Sequence, residues 1–398
     1  MNIFIINSGS SSIKYQLFRM PSSSPVCSGL VDRIGLENSV IVHKTYINDE
    51  EKVIKITDEI PDHEAGLKKV NELLTDSEIG VITDAYAIEV VGHRVVHGGE
   101  SFTDPTIITP EVKEKLKLTF QLAPLHNPAA FRGIEVAEKI FRGANQVAVF
   151  DTAFHQTMPP KAFRFAIPDS YYTDHNIRAY GFHGTSHQYV SHQAELYLNN
   201  KALKLISIHL GNGCSITAVN NGKSVDTSMG FGPLSGLIMG SRSGDIDPTI
   251  IFYLVNQLGY DIEQVSNLLN KRSGMIGLTG FSDMRDIRRL IAEGDEQAKL
   301  AYDMYAYRIR KYIGAYTAVL NGLDALIFTA GVGENDPIIR ELVCRDIGYL
   351  GIELDTDKNN TRTDGIREIS KTGSRVKILV IPTNEELEIA SQCYELLK

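Results

Sequence analysis

The 398-residue sequence predicts an α/β protein made of two related halves. Three observations carry that expectation. Short, β-branched apolar runs alternate with stretches whose apolar residues recur at helical spacing. Apolar runs end in polar or glycine-rich turns at Asn7, Asp151, His209, Gly331 and Glu385; open α/β sheets bind ligands there, outside the carboxyl ends of their strands. Finally, Asn7-Ser8-Gly9-Ser10-Ser11-Ser12-Ile13 has an echo in the second half, His209-Leu210-Gly211-Asn212-Gly213-Cys214-Ser215-Ile216. Both read strand, polar residue, glycine, small polar residues, Ser-Ile.

Length alone suggests roughly two or three domains with ample chain for large cores. Apolar content of 43% and charged content of 22% are those of an ordinary globular protein. A net charge of −9 argues against nucleic acid or an anionic membrane as partner. An anionic ligand must therefore be held by local lysine and arginine. Cys27, Cys214, Cys344 and Cys393 are far apart, without C-x-x-C or metal spacing. They are expected to be reduced, half-buried small hydrophobes of a cytosolic enzyme. No run approaches the ~18 apolar residues of a membrane span. The first strand lacks a basic n-region and a cleavage site, so it is expected to be structure and the protein cytoplasmic.

Taken in order, Ile3–Ile6 reads as a buried strand, and a Gly/Ser turn leads through Lys14 into the run Tyr15–Phe18. Such a hairpin offers backbone N–H groups, hydroxyls and one cation, the donors that a phosphate needs. It is no Walker A loop, which requires G-x-x-x-x-G-K-[ST] between strand and helix. Strands follow at Ser39–Tyr46 and Lys52–Ile56 around the turn Asn48-Asp49-Glu50, then a helix over 64–75. Ala87–Val91 reads as a strand running into the loop Gly92-His93-Arg94-Val95-Val96-His97-Gly98-Gly99. Thr109-Pro110, Asn127-Pro128 and Asp247-Pro248 read as N-caps followed by proline at the first helical position. Gln146–Phe150 is a strand ending at Asp151, and residues 178–187 form a glycine-bearing loop before a helix containing Val190, Ala194 and Tyr197. After the strand Lys204–Ile208 comes an irregular glycine-rich segment, 230–244, with Pro233 and Arg242. A helix from Asp261 turns Ile262, Val265, Leu268 and Leu269 inward, and one long helix spans 295–321. Asp324–Thr329 is a strand leading to the loop Gly331–Asn335, and Val376–Ile381 a strand ending at Thr383-Asn384-Glu385-Glu386 before a closing helix.

Several residues are candidates for chemistry, each beside a plainer reading. Asn7–Lys14, His209–Gly213 and Gly331–Asn335 are phosphate cradles or ordinary tight turns; three together favour nucleotide binding. Arg94 and Arg242, in glycine context, are fork-shaped donors for carboxylate or phosphoryl oxygens, or surface ion pairs. Of the loop histidines His93, His97, His126, His183 and His209, none has zinc spacing. His183 is the candidate catalytic group; the plainer reading is a structural imidazole. Asp151 and Glu385 are helix caps, or carboxylates for Mg²⁺ with Asn7 as a neutral partner.

Six of these stretches, in this order along essentially the whole chain, resemble motifs of the acetate kinase family. They are 7–14, 92–99, Tyr180-Gly-Phe-His-Gly-Thr-Ser-His187, 209–213, 331–335 and 383–386. The resemblance implies the acetate and sugar kinase, heat-shock chaperone and actin superfold: two duplicated actin-like (ribonuclease H-like) ATPase domains with a nucleotide cleft between them. The domains are expected at 1–151 and 152–383, the closing helix 384–398 packing back on the first. By resemblance Asn7 and Glu385 are metal-site residues for Mg²⁺, or Mn²⁺ in its place. Contacts to ATP or ADP fall to Lys14, to His209, Leu210, Gly211, Asn212 and Gly213, to Asp283, Met284 and Arg285, and to Gly331, Val332, Gly333, Glu334 and Asn335. Arg94 binds the acyl substrate, with Val96, Leu125, Phe182 and Pro233 as its methyl pocket. Asp151 is catalytic in the family, and His183 and Arg242 stabilise the transition state. Related propionate kinases tend to carry alanine where Val96 stands. The valine favours acetate, though one methylene is worth only about 1–3 kcal/mol.

The implied reaction is reversible phosphoryl transfer from ATP to acetate, giving acetyl phosphate and ADP, in a homodimer without nucleic-acid or membrane partners. Its nucleophile is a carboxylate, ionised at neutral pH because carboxyl groups titrate near pH ~4. No general base is needed, so Asp151 is better read as orienting Mg²⁺ or water. A propionate or other acyl or hydroxyl kinase would keep the cradles and change the pocket. An actin-like or chaperone ATPase would lack an acceptor, against the pairing of Arg94 with Arg242. A nicotinamide dehydrogenase would want G-x-G-x-x-G opening a helix, a form neither glycine cradle has.

Overall fold

The computed structural model describes residues 1–47, 50–124 and 126–398. The expected turn residues Asn48 and Asp49 lie outside that set. Two compact units emerge: Met1–Ala153 joined by Asn384–Lys398, and Phe154–Thr383.

The first unit is built on one sheet. Its strands are β1 (Asn2–Ser8), β2 (Ser12–Arg19), β3 (Pro25–Asp32), β4 (Ser39–Ile47), β5 (Glu50–Asp58), β6 (Val90–Val95), β7 (Thr106–Ile107) and β8 (Asn145–Phe150). Their spatial order is β5-β4-β3-β2-β1-β6-β8-β7. Strands β1 to β5 form an antiparallel meander, whereas β1, β6 and β8 run parallel. Side chains alternate across the sheet. Phe4 and Ile6 of β1 face the helices His63–Leu74 and Asn127–Ile140. Ile3 and Ile5, with Val90, Val147 and Val149, face Ile389, Ala390 and Cys393 of the closing helix, Glu385–Leu397.

The second unit repeats the plan. Its strands are β9 (Lys204–Leu210), β10 (Cys214–Asn220), β11 (Lys223–Thr227), β12 (Ala325–Thr329), β13 (Arg367–Glu368) and β14 (Lys377–Val380), ordered β11-β10-β9-β12-β14-β13. Again an antiparallel hairpin (β9, β10) continues into parallel neighbours (β9, β12, β14). One face carries Val190 and Ala194 of the helix Gly184–Tyr197 over Leu205, Ala325, Ile327 and Leu379. The long helix Glu296–Leu320 packs on β9 and β10. The series β3-β2-β1-β6-β8 and β11-β10-β9-β12-β14 are the same topology. That is the duplication behind the motif echo: Asn7 pairs with Lys14 as His209 pairs with Ser215.

Several local expectations need correction. His93 and Arg94 lie inside β6 and not in a loop. At Gly92, just before them in β6, a Cβ would approach Ile5 Cδ1 to 2.7 Å and Cys393 Sγ to 2.9 Å, so the closing helix demands glycine there. Ala87 belongs to a helical turn before the strand. Asn127 does not cap its helix; its amide instead accepts from His97 N–H and donates to His97 C=O at 2.8 Å and to Thr119 Oγ at 2.6 Å. Thr109 does cap its helix. Asp247 accepts from Thr249 N–H at 2.8 Å, two residues before the helix starts. Ile262 is exposed, and Gly331–Asn335 is helical. Strand β3 and the helix Met284–Ala292 were not anticipated. All four cysteines are free and buried. Among the described residues no helix is long and apolar enough to cross a membrane.

Candidate active site

In the first unit the candidates gather at the carboxyl ends of three adjacent parallel strands. Asn7 and Arg94 lie near the ends of β1 and β6, and Asp151 follows β8. The parity of β6 decides where Arg94 points: Val90, Gly92 and Arg94 share the face covered by the closing helix. That helix begins at Glu385 behind an Asn384 cap, whose side chain accepts from Leu387 N–H at 3.0 Å. The Arg94 guanidinium reaches Asp151 Oδ2 at 2.5 Å and Glu385 Oε2 at 3.7 Å. Asp151 is only 1% exposed. Lys14 Nζ stands 2.6 Å from Glu386, the neighbour of Glu385. Val96 follows β6, and Leu125 lies outside the described residues.

Two acidic groups on one guanidinium leave surplus negative charge. Burial raises the Glu385 pKa; Arg94 and Lys14 oppose this, while Asp151 and Glu386 push it further up. The amide oxygen of Asn7 and the carboxylates of Asp151 and Glu385 are hard donors of the kind Mg²⁺ takes. Among the described residues no three His, Cys, Asp or Glu side chains form a metal cage. Oxygen donors of this kind fit a hard dication completed by phosphate oxygens and water, as Mg²⁺ sites commonly are.

The second unit holds a cavity of about 710 Å³, within the range of small-molecule sites. Gly211, Asn212, Asp283, Met284, Arg285, Gly331, Val332 and Asn335 line it, all among the residues that the family resemblance singles out. Met275, Ser282, Arg288, Tyr305, Asp336 and Arg362 line it too, and no motif pointed to them. They come from helices and two loops brought together only by packing. Asp283 caps the helix Met284–Ala292, and the Arg285 side chain and backbone hold its carboxyl down to about 2. His209 and Leu210 sit within β9, Leu210 in the core. Gly333 and Glu334 are held from behind: the buried Arg340 donates to both carbonyls at 2.9 and 3.1 Å, and Glu334 Oε1 accepts from Thr383 N–H.

Beside this cavity lie His183 and Arg242. A Cβ at Gly213 would stand 3.3 Å from His183 Nε2 and 3.7 Å from Arg242 Nη1, so both side chains converge on that glycine. His183 adopts left-handed φ of 56° as the cap of the helix Gly184–Tyr197, a conformation non-glycine residues seldom take and one that clusters at functional sites. Its ring stacks on His209 at 4.2 Å. Its neighbour Phe182 is buried, and the Phe182 carbonyl accepts from His155 Nε2–H at 3.0 Å. Gly181, at φ 77°, lets that imidazole approach, since a Cβ there would lie 2.5 Å from the His155 ring. Arg242 donates to the Pro233 carbonyl at 2.8 Å, tying the two ends of the glycine-rich segment. Among the other loop histidines, His93 is structural: its Nε2 bonds Gln146 Oε1 at 2.8 Å in the core.

Comparison with known proteins decides what these half-sites belong to. A model of the Acetokinase family matches residues 2–391. The chain belongs to the acetate kinase family. It is 57% identical to an acetate kinase of Flavobacterium johnsoniae and 52% identical to one of Thermotoga maritima, covering 100% of this chain in each case and 100% and 99% of the relatives. The structure is similar to that of Porphyromonas gingivalis acetate kinase, with TM-score 0.94, 44% identity and full coverage of both chains. A propionate kinase from Francisella tularensis is similar at TM-score 0.90 and 43% identity over 98% of each chain. Acetate kinase family membership accounts for the duplicated α/β plan and for the glycine cradles at its strand ends.

Proposed function

We propose that the protein is an acetate kinase, transferring the γ-phosphoryl group of ATP to acetate by direct in-line displacement, reversibly and with Mg²⁺. The observation that carries this reading is the convergence of His183 and Arg242 on Gly213, beside a glycine-lined cavity of nucleotide size. A carboxylate nucleophile needs no base, so the protein's work is positioning and charge stabilisation. Arg94 holds the acetate oxygens, with Val96, Leu125, Phe182 and Pro233 around the methyl group. One acetate oxygen bonds to phosphorus as the bond to the bridging oxygen of ADP breaks. His183 and Arg242 donate to the equatorial phosphoryl oxygens. Asn7 and Glu385, with Asp151, would hold Mg²⁺, which would supply charge neutralisation for the phosphates. Asp151, bound to Arg94, orients that guanidinium and the metal and takes no proton. The domains of this reading are 1–151 and 152–383, the closing helix belonging with the first.

The test is ADP release with Mg-ATP and, separately, acetate, propionate, butyrate, glycerol or no acceptor, acyl phosphate being trapped with hydroxylamine. Acetate-dependent ADP and hydroxamate are expected, with propionate weaker. Val96→Ala is expected to shift the propionate-to-acetate ratio of kcat/KM about 10-fold or more toward propionate, the scale of one methylene. ADP release indifferent to every acceptor would sink the kinase reading, and a propionate preference in the parent enzyme would replace acetate by propionate.

The same reading includes a cytoplasmic homodimer. What supports the dimer is the helix Thr249–Asn256, which buries none of its residues. Phe252 and Tyr253 on it, with Leu258 and Ile262 beyond it, are more than half exposed. Contiguous apolar surface of this kind marks an interface, here with a second copy of the chain. Sedimentation velocity is expected to show a dimer that Phe252→Asp converts to monomer; a monomeric parent protein would refute this.

A further inference from the structure

A line of buried hydroxyls and imidazoles runs beneath His183. Its Nδ1 lies 2.8 Å from Ser215 Oγ, which lies 2.7 Å from His187 Nε2. His187 Nδ1 in turn lies 2.8 Å from Ser207 Oγ. Ser207, Ser215 and His187 are all fully buried. Each hydroxyl carries one proton, and each neutral imidazole has one N–H and one lone pair. The line can therefore be ordered in only two directions.

In the first, Ser207 donates to His187 Nδ1, His187 Nε2–H donates to Ser215, and Ser215 donates to His183 Nδ1. In the second every donor becomes an acceptor, and the Ser207 proton must find another partner. Among the described residues Ser207 Oγ bonds only His187. The second direction thus strands a buried O–H, which is costly, while the first leaves no proton unused. Burial keeps His187 neutral, and His155 and His209 push the same way, so it cannot donate from both nitrogens.

We propose that Ser207, His187 and Ser215 are a positioning relay that holds neutral His183 as its Nε2–H tautomer. That N–H is then the one aimed at the phosphoryl group during transfer. This rests on the reading of His183 as a transition-state donor given above. The titratable and charged groups facing the relay are His209, stacked on His183; His155, whose ring is 5.8 Å from that of His187; and Arg242, across Gly213. The relay selects between the two tautomers of the uncharged ring. A free neutral imidazole divides itself between two tautomers, and the Nδ1–H form would turn a lone pair toward the phosphoryl oxygens.

The experiment compares Ser215→Ala, Ser215→Thr and His183→Asn with the parent enzyme. It reads kcat and KM from about pH 6 to 9, spanning ordinary imidazole titration, and long-range ¹⁵N–¹H spectra that report histidine tautomers. In Ser215→Ala the His183 Nδ1–H form is expected to appear, with kcat down about 10-fold or more near pH 8. Both KM values should hold. The deficit should shrink toward pH 6, because an imidazolium carries Nε2–H whatever lies behind it, and Ser215→Thr should restore the parent profile. An unchanged tautomer, or a deficit equal at every pH, overturns the relay. Full turnover in His183→Asn would instead overturn the donor role of His183; the tautomer spectra then judge the relay on their own.

Discussion

Arg242→Ala is expected to lower kcat by about 10³-fold while leaving both KM values within a few-fold. Removal of a single preorganised donor to a transition state costs ~10²–10³, and an arginine on a transferring phosphoryl group is worth ~10³–10⁵. In the proposed mechanism Arg242 acts there. It sits beside Gly213 with His183 and is anchored through Pro233. The segment that carries it is fixed independently of its guanidinium: Tyr312 donates to Asp245 at 2.6 Å, and Arg308 donates to the carbonyls of Gly236 and Asp245. The variant should therefore melt within a few degrees of the parent. Lysine restores the charge but not the fork, so Arg242→Lys should recover only part of the rate. A kcat within tenfold of the parent in Arg242→Ala would remove charge stabilisation from the mechanism.

Arg94→Ala should act on stability and on acetate together. It strands the carboxylate of Asp151, which is almost wholly buried. Breaking a buried pair by removing one partner costs about 3–5 kcal/mol, a fall in Tm on the order of 10 °C for a unit of this size. Loss of a bidentate carboxylate donor should raise the acetate KM on the order of 10²-fold, at roughly 1.5–3 kcal/mol for each charged hydrogen bond. Adding Asp151→Asn separates the effects: the double variant should regain most of the Tm and none of the acetate affinity. An unchanged acetate KM in Arg94→Ala would take this residue out of the substrate site.

The hairpin motifs were readable because they are local. Strand, glycine and hydroxyl residues at Asn7–Ile13 and His209–Ile216 lie next to one another in the chain, and both fold as antiparallel turns. Arg94 was harder. Gly92-His93-Arg94 has the composition of a turn, yet the sequence becomes the strand β6 because β1 and β8 pair with it on both sides. Similarly, Gly331–Asn335 reads as a loop, but Arg340 satisfies the carbonyls at the end of one short helix. Arg288, Tyr305 and Arg362, from segments far apart in the chain, had no local signal at all.

The sequence by itself determined the α/β class, the duplication, the strand ends proposed as sites and the residue types gathered there. Periodicity and turn chemistry are properties of neighbours in the chain, so they survive without a structure. Only the tertiary structure decided which groups face one another. Arg94 meets Asp151 and Glu385 through the parity of one strand and the start of the last helix. His183 is linked through Ser215 to His187 and Ser207, on one helix and two strands. Those pairings depend on strand register and helix packing, which are set by burial of the whole core and cannot be written in any short stretch of residues.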